Sequence, residues 1–320
     1  IYGDTAGMDV QAEADLALGC FQKIVEWLPP DGSNHEGPGY WDYGNHWVVR
    51  LTHLMKHVTG TDYASQNTHF AQDYYFRLYM TAPGWHHTFG IGDANEGEPS
   101  NNTCWVLPIT ENADGYGMSV LQKLMQSVPG GFYQHVAWGL LWYDANLAAR
   151  PYDSLPLSRF WPDLEMFSVR SAWDSLATAF LFKCGPPGGH RMNQLAPGYI
   201  NVAHDHPDQN HFMLFADGEM LAQDDGYPRT SKLARSHNTI TVDGEGQTRE
   251  GGAWYQPFDY AQTGFMEDVL LSEATAYAAG NASPLYANAE RFVRHAFFVE
   301  GEYALIVDDL LAACSGQRDW

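Results

Sequence analysis

The chain has 320 residues, with 39 acidic side chains against 17 basic ones and a formal net charge of −22. That balance argues against nucleic acid or an anionic membrane surface as a partner. No apolar run reaches the roughly 18 residues that a bilayer-spanning helix needs. Charged residues are only 18%, while Trp 11, Tyr 18 and Phe 16 supply abundant aromatic surface, suited to a bulky core or to stacking on sugar rings.

In chain order the first half reads as helices. "ADLALGCFQKIVEWLP" repeats apolar residues at Leu16, Leu18, Phe21, Ile24, Val25 and Leu28, close to the helical period. "NHWVVRLTHLMKHVTG" does so through Trp47, Leu51, Leu54, Met55 and Val58 and stops at Gly60. "SQNTHFAQDYYFRLYMT", "GMSVLQKLMQSV" and "GFYQHVAWGLLWYDAN" follow, separated by loops rich in Gly, Pro, Asn and Asp. Helical hairpins of this kind predict a solenoid or a partial α/α toroid over residues 1–155.

After "PYDSLPLSRFWPD" the pattern changes. "MFSVRSAW", "ATAFLFKC", "HFMLFADG", "NTITVDG", "RHAFFVEG" and "YALIVDD" are short, β-branched or aromatic, and bounded by turn signals. We expect an antiparallel β-sandwich over residues 156–320, so the fold class is α+β in two domains. The chain starts at Ile1 without a signal segment and stops just past a strand, and we expect truncation at both ends. Four scattered cysteines with no CxxC spacing do not read as a zinc ribbon or redox pair. Nothing in the sequence sets an oligomeric state.

Three segments carry candidate chemistry. In "HDHPD", read as part of a strand, His204 and His206 point to one face and make a metal or proton-transfer device. Asp224, Asp225 and His237 lie downstream and complete a plausible zinc set. The alternative is a group of hydrogen-bonded or surface histidines. Between two predicted helices, "DGSNHEGPGYW" places Asn34, His35 and Glu36 together, either as a functional loop or as ordinary turn chemistry. "PGWHHTFGIGDANEG" is another such loop, with Trp85, His86, His87 and Asp93. In a toroid both loops open on one rim.

Taken together, "FSVRSAW", "HDHPDQNHF", "DDGY", "SHNTITVDGEGQ" and the upstream "DGSNHEGPGYW" resemble the heparinase II/III-like superfamily of polysaccharide lyases, which includes heparin-type and alginate lyases. The resemblance implies a partial α/α toroid followed by an antiparallel sandwich. It also implies β-elimination on an anionic uronate polysaccharide and secretion or a periplasmic location. Carried over residue by residue, it implies one structural Zn2+ held by His206, Asp224 (or Asp225) and His237. His204, Asn34 and His35 then fall in the catalytic site. The family's loop tyrosine has no counterpart in "GWHHTFGIGD", so Tyr40 or His87 is expected to supply the second acid/base group. Glu36, Trp85, His86, Arg170 and Arg235 are expected to bind substrate, and Arg191 and Lys232 also flank the cluster.

Competing classes remain. "HDHPDQNH" nearly matches the HxHxDH set of two-zinc hydrolases but has Gln209 after Asp208. A catalytically silent carbohydrate-binding relative would keep the metal and the aromatics. A glycoside hydrolase would need two carboxylates across the cleft, such as Glu36 and Asp93.

Overall fold

Helices precede strands, as expected, and one antiparallel sheet is buried on both faces between them and a second sheet. A computed structural model describes residues 10–94, 97, 99, 103–127, 136–197, 204–224, 232–248, 250–251, 259–313 and 319. Its first helices are α1 (Gln11–Trp27), α2 (Gly37–Thr59), α3 (His69–Tyr79), α4 (Val106–Glu111), α5 (Gly115–Ser127) and α6 (Val136–Trp142). Five strands then form one meander: β1 (Ser158–Trp161), β2 (Met166–Arg170), β3 (Ala179–Lys183), β4 (His211–Ala216) and β5 (Glu219–Ala222). A short helix, α7 (Gly189–Leu195), sits between β3 and β4. The second sheet is β6 (Phe265–Leu271), β7 (Ala276–Asn281), β8 (Ala289–Val299) and β9 (Tyr303–Ala312).

The pleat of the first sheet explains its composition. Met166, Ala179, Leu181, Met213 and Phe215 face the helices and join their core with Trp41, Phe76, Tyr79 and Trp105. Phe167, Val169, Phe180 and Phe182 face the other way, packing on Ala278, Phe292, Ala296 and Phe298 of the second sheet. Every residue of β2 and β3 is therefore buried. Such strands read as continuous runs, whereas β4, with one well-covered face, alternates. Each fully buried Phe contributes about 1.5–3 kcal/mol.

α2 begins at Gly37, eight residues before the predicted segment that starts at Asn45, with Pro38 in its first turn, and ends on left-handed Gly60. Its buried residues include Trp41, Asn45, His46, Val49 and Thr52, whereas Trp47, Leu54 and Val58 of the apolar repeat are exposed. In α1 likewise Phe21 and Val25 are buried and Leu16 and Ile24 are not. Apolar period located these helices and part of their covered sides: Phe21 and Val25 are buried, with Leu18, Leu28, Leu51 and Met55 packed against them.

Two strand expectations fail. Residues 204–210 are turns, not strand, with the Asp208 N–H on the His206 carbonyl (3.0 Å), the His211 N–H on that of Asp208 (3.0 Å), and Asn210 at φ 62°. "NTITVDG" forms only an isolated bridge between Val242 and Glu245. Its Asn238 amide instead donates to the Phe212 and Gln223 carbonyls (2.9 and 2.8 Å), joining the segment to β4 and the end of β5 through a side chain. Cys20 and Cys184 are free thiols, Cys104 is buried, and Cys314 lies outside the described residues.

Arg170 on β2 is a structural tie, which corrects its expected role in substrate binding. Its side chain is buried, donates to the Tyr79 and Thr81 carbonyls (3.3 and 3.1 Å), and stacks on the Trp173 ring at 3.9 Å. Burial lowers its pKa to about 10. We predict that Arg170→Met, which keeps the stem but strips both carbonyls of a charged donor, costs about 2–3 kcal/mol in urea unfolding. A KM for polysaccharide that rises without loss of stability would restore Arg170 to the substrate.

Candidate functional site

Two interhelical loops and the turn after α7 converge through backbone contacts that only glycine permits. Gly37 has φ 82°, and a Cβ on it would overlap the Ile91 carbonyl. Gly92 has φ 62°, and its Cβ would lie 2.7 Å from the His204 carbonyl oxygen and 2.8 Å from that of Glu36. Next in line, the Asp93 N–H donates to the His204 carbonyl at 2.9 Å.

Asp93 then takes both histidines of the HxH motif. Its Oδ2 accepts from His204 Nδ1 at 2.6 Å and its Oδ1 from His206 Nε2 at 2.7 Å. Burial would raise the Asp93 carboxyl, but the two imidazole hydrogen bonds outweigh it and hold the pKa below the usual value. The expected strand alternation does not bring His204 and His206 together; this carboxylate does. Tyr40, on the first turn of α2, stacks on His204 with centroids 3.7 Å apart and planes inclined by 20°.

Behind this pair, ligand atoms of His206, Asp224 and His237 all lie within 4.8 Å of one another, and all three residues are buried. His237 Nδ1 contacts Asp224 Oδ2 at 2.8 Å. His206 Nδ1 and His237 Nε2 are buried with no hydrogen-bond partner. Burial alone would lower the His237 pKa, yet the neighbouring Asp224 charge raises it. Two imidazoles and a carboxylate at this spacing, with orphaned ring nitrogens, fit a zinc-type cation. Asp225, the alternative ligand, lies outside the described residues.

The floor is built from β3 and β4. Lys183 sits on a strand that is otherwise apolar, fully buried, and pairs with Asp205 (3.2 Å) and Asp208. Desolvation disfavours its charge, but these two carboxylates raise its pKa overall. His211, its cross-strand neighbour, accepts the Asn238 N–H on Nδ1 and turns Nε2 toward Asp224 at 3.2 Å. Burial pushes the His211 pKa down to about 4, so it stands neutral.

The other predicted residues divide. In the Asn34 loop, Asn34 Oδ1 accepts the Glu36 N–H at 2.9 Å, which turns its amide NH2 outward as a donor. His35, in the same loop, is half-buried. Lys232 donates to the Asp205 carbonyl at 2.9 Å and lies in the field of Asp93 and Glu36. Arg191 is spent on the Glu26 carbonyl. Two residues of the second loop are placed elsewhere, which corrects their expected roles: Trp85 packs on Tyr152 and His87 lies against Phe215, while His86 between them is exposed. Phe215 is four residues along β4 from His211, about 13 Å. Arg235 is exposed beside His237.

Lys183, Asp205, Asp208 and His211 are the residues that sequence reasoning left without a role, and Asp93 it weighed only as a loop residue and a hydrolase carboxylate. A lysine inside "AFLFKC" was the available signal for the floor, and an aspartate directly after "GIG" the signal for the clasp.

Stacked antiparallel sheets with this polar floor are the class of domain that residues 169–320 match, described as "Heparinase II/III-like, C-terminal". Over those residues, a little under half of the chain, it is similar to the C-terminal domain of the heparinase II/III-like family. It is similar in fold to the heparan sulfate lyase HepC from Pedobacter heparinus, at 16% identity and TM-score 0.57, over 92% of this chain and 41% of that one. A structure titled heparinase III is similar at 13% identity and TM-score 0.56, covering 92% of this chain and 43% of its own. The chain thus spans about two fifths of the length of these structures. No curated protein matches it.

We predict that Lys183→Met, which leaves two buried carboxylates without a counter-ion, costs about 3–5 kcal/mol in chemical unfolding. Arg291→Met, breaking an exposed pair with Asp309, is expected to cost at most about 1 kcal/mol. Equal costs for the two would show that Lys183 is not the electrostatic centre of the floor.

Proposed function

We propose that the chain is a polysaccharide lyase that cleaves a 4-linked uronate polysaccharide, alginate or glycosaminoglycan, by β-elimination outside the cytoplasm. The observation that carries this reading is His204, held through Nδ1 by the Asp93 carboxylate and stacked on Tyr40. A carboxylate at Nδ1 selects the tautomer in which Nε2 is the basic nitrogen and stabilises the imidazolium that forms when it takes a proton.

The C5 proton of a uronate is barely acidic while the adjacent carboxylate keeps its charge. In this reading the Asn34 amide and His35 donate to that carboxylate and stabilise the charge that develops on it. His204 removes the proton, and Tyr40 donates one to the O4 leaving group. His87 does not share this task, because its ring lies against Phe215. The sugar ring gains a double bond and the chain is cut without water.

We infer that one Zn2+ is held by His206, Asp224 and His237, where it supplies structural cross-linking rather than chemistry. The orphaned nitrogens on His206 and His237 support this. Asp93 orients His206 from its far side, as an outer hydrogen-bond partner does for a metal-binding imidazole. A glycoside hydrolase with Asp93 as its acid is disfavoured, because a carboxyl held below its usual pKa by two imidazoles carries no proton to give.

Two tests follow. On a panel of uronate polysaccharides, read as new ultraviolet absorbance, His204→Ala is expected to lose about 10²–10⁴-fold in rate with bound zinc unchanged, while His237→Ala loses the zinc. Polymer binding with no unsaturated product from the wild-type chain would point to a silent carbohydrate-binding protein. Asp93→Asn should act on both histidines, lowering kcat by at least about 100-fold and zinc affinity by about 10–100-fold. A variant that changed only one of the two would break the proposed coupling.

A further inference from the structure

From His204 a continuous line of rings runs out of the site along α2. Tyr40 stacks on His204, and Tyr43 follows at 6.2 Å from Tyr40. His46 lies 6.1 Å from Tyr43, and Trp47 lies 4.7 Å from His46. The Arg50 guanidinium comes next, 5.5 Å from the Trp47 ring and 5.4 Å from the Trp138 ring of α6. Tyr40, Tyr43, Trp47 and Arg50 fall at helical spacing on the side of α2 that points away from its buried side. Tyr43 is 65% exposed and Trp47 58%. Leaving two large rings this open forgoes burial, so they are not there for the core of the described residues.

Arg50 adds a charge of the right sign. Among the described residues it has no carboxylate partner, in a protein with more than twice as many acidic as basic side chains. Its Nε and Nη2 are buried without hydrogen-bond partners, and burial lowers its pKa. A guanidinium held between two indoles, with no counter-ion among the described residues, is a receptor for an anionic group.

We propose that this face of α2 is an extended binding track for the acidic polysaccharide, with sugar rings stacking on Tyr43 and Trp47 and a carboxylate or sulfate of the chain reaching Arg50. The inference rests on the lyase reading for the identity of the occupant, and continuity with His204 is what selects a sugar chain over a protein. Tyr43 and Trp47 are four residues apart, about 6 Å along the helix, a spacing comparable with successive sugar units. Only a chain several units long reaches from His204 to Arg50, so the track acts on polymers and not on the shortest oligosaccharides.

The test compares wild type, Trp47→Ala, Arg50→Gln and the exposed control Leu16→Ala on heparan sulfate and alginate, as long chains and as the shortest cleavable oligosaccharides. Trp47→Ala is expected to raise KM for the long chains roughly fivefold to tenfold, with kcat, the KM for short oligosaccharides and the thermal midpoint unchanged. Arg50→Gln should raise the same KM and flatten its dependence on salt. An unchanged KM for long chains in both variants overturns the track while leaving the lyase reading intact. If the wild type cleaves nothing, affinity electrophoresis in the same polysaccharides decides: retardation lost in Trp47→Ala but kept in Leu16→Ala supports the track, and equal migration of all three overturns it. A wild-type chain that self-associates, and becomes monomeric as Trp47→Ala with no change in sugar binding, also overturns it.

Discussion

The arrangement of the site depends on one carboxylate. Asp93 stands on a loop of the helical half and holds, on its two oxygens, two imidazoles from the strand-bearing half. One of them is the proposed base and the other a member of the buried His206, Asp224 and His237 group. Because both hydrogen bonds end on the same rigid group, the two tasks share a geometry: whatever shifts Asp93 shifts both. Gly92 makes the approach possible, since any side chain there would strike the backbone of Glu36 and of His204.

The first sheet is the platform for this clasp. Its apolar residues glue it to helices on one face and to the second sheet on the other. At one end of the helix-facing side, however, β3 and β4 present Lys183 and His211 instead. An ammonium buried there is tolerable only because Asp205 and Asp208 close on it, and these lie in the same turn as His204 and His206, Asp205 between the two histidines. The charge pairing that stabilises the floor therefore also fixes where the histidines emerge. At the other end of the same side, Arg170 performs the comparable task for the helix contact, spending its donors on backbone carbonyls.

Much of this was legible in the residues. The switch from helical to strand patterning, most of the first-sheet strands, and the grouping of His206, Asp224 and His237 all followed from composition, spacing and motif resemblance. The misreadings share a cause. Trp47, Leu54 and Val58 formed a convincing apolar period, but helical period identifies a helix and not which stripe its neighbours cover. Arg170 next to an aromatic strand looked like a ligand for an anion, yet the guanidinium was consumed by the Tyr79 and Thr81 carbonyls. "NTITVDG" had strand-forming residues, but the amide of Asn238 satisfied two β-sheet carbonyls and left the segment as turns.

By itself the sequence determined the order of the elements, the loops that hold chemistry and the residue types in the metal-type triad, because these follow from local propensity and short-range spacing. Only the tertiary structure decided which group serves which. The partnership of Asp93 with residues 204 and 206 spans more than a hundred positions, and nothing local encodes it. The same holds for the ring line along α2, which became visible once one side of the helix was known to be uncovered. Burial and long-range pairing are properties of packed neighbours, and a one-dimensional pattern records only that a residue is apolar or charged, not what lies against it.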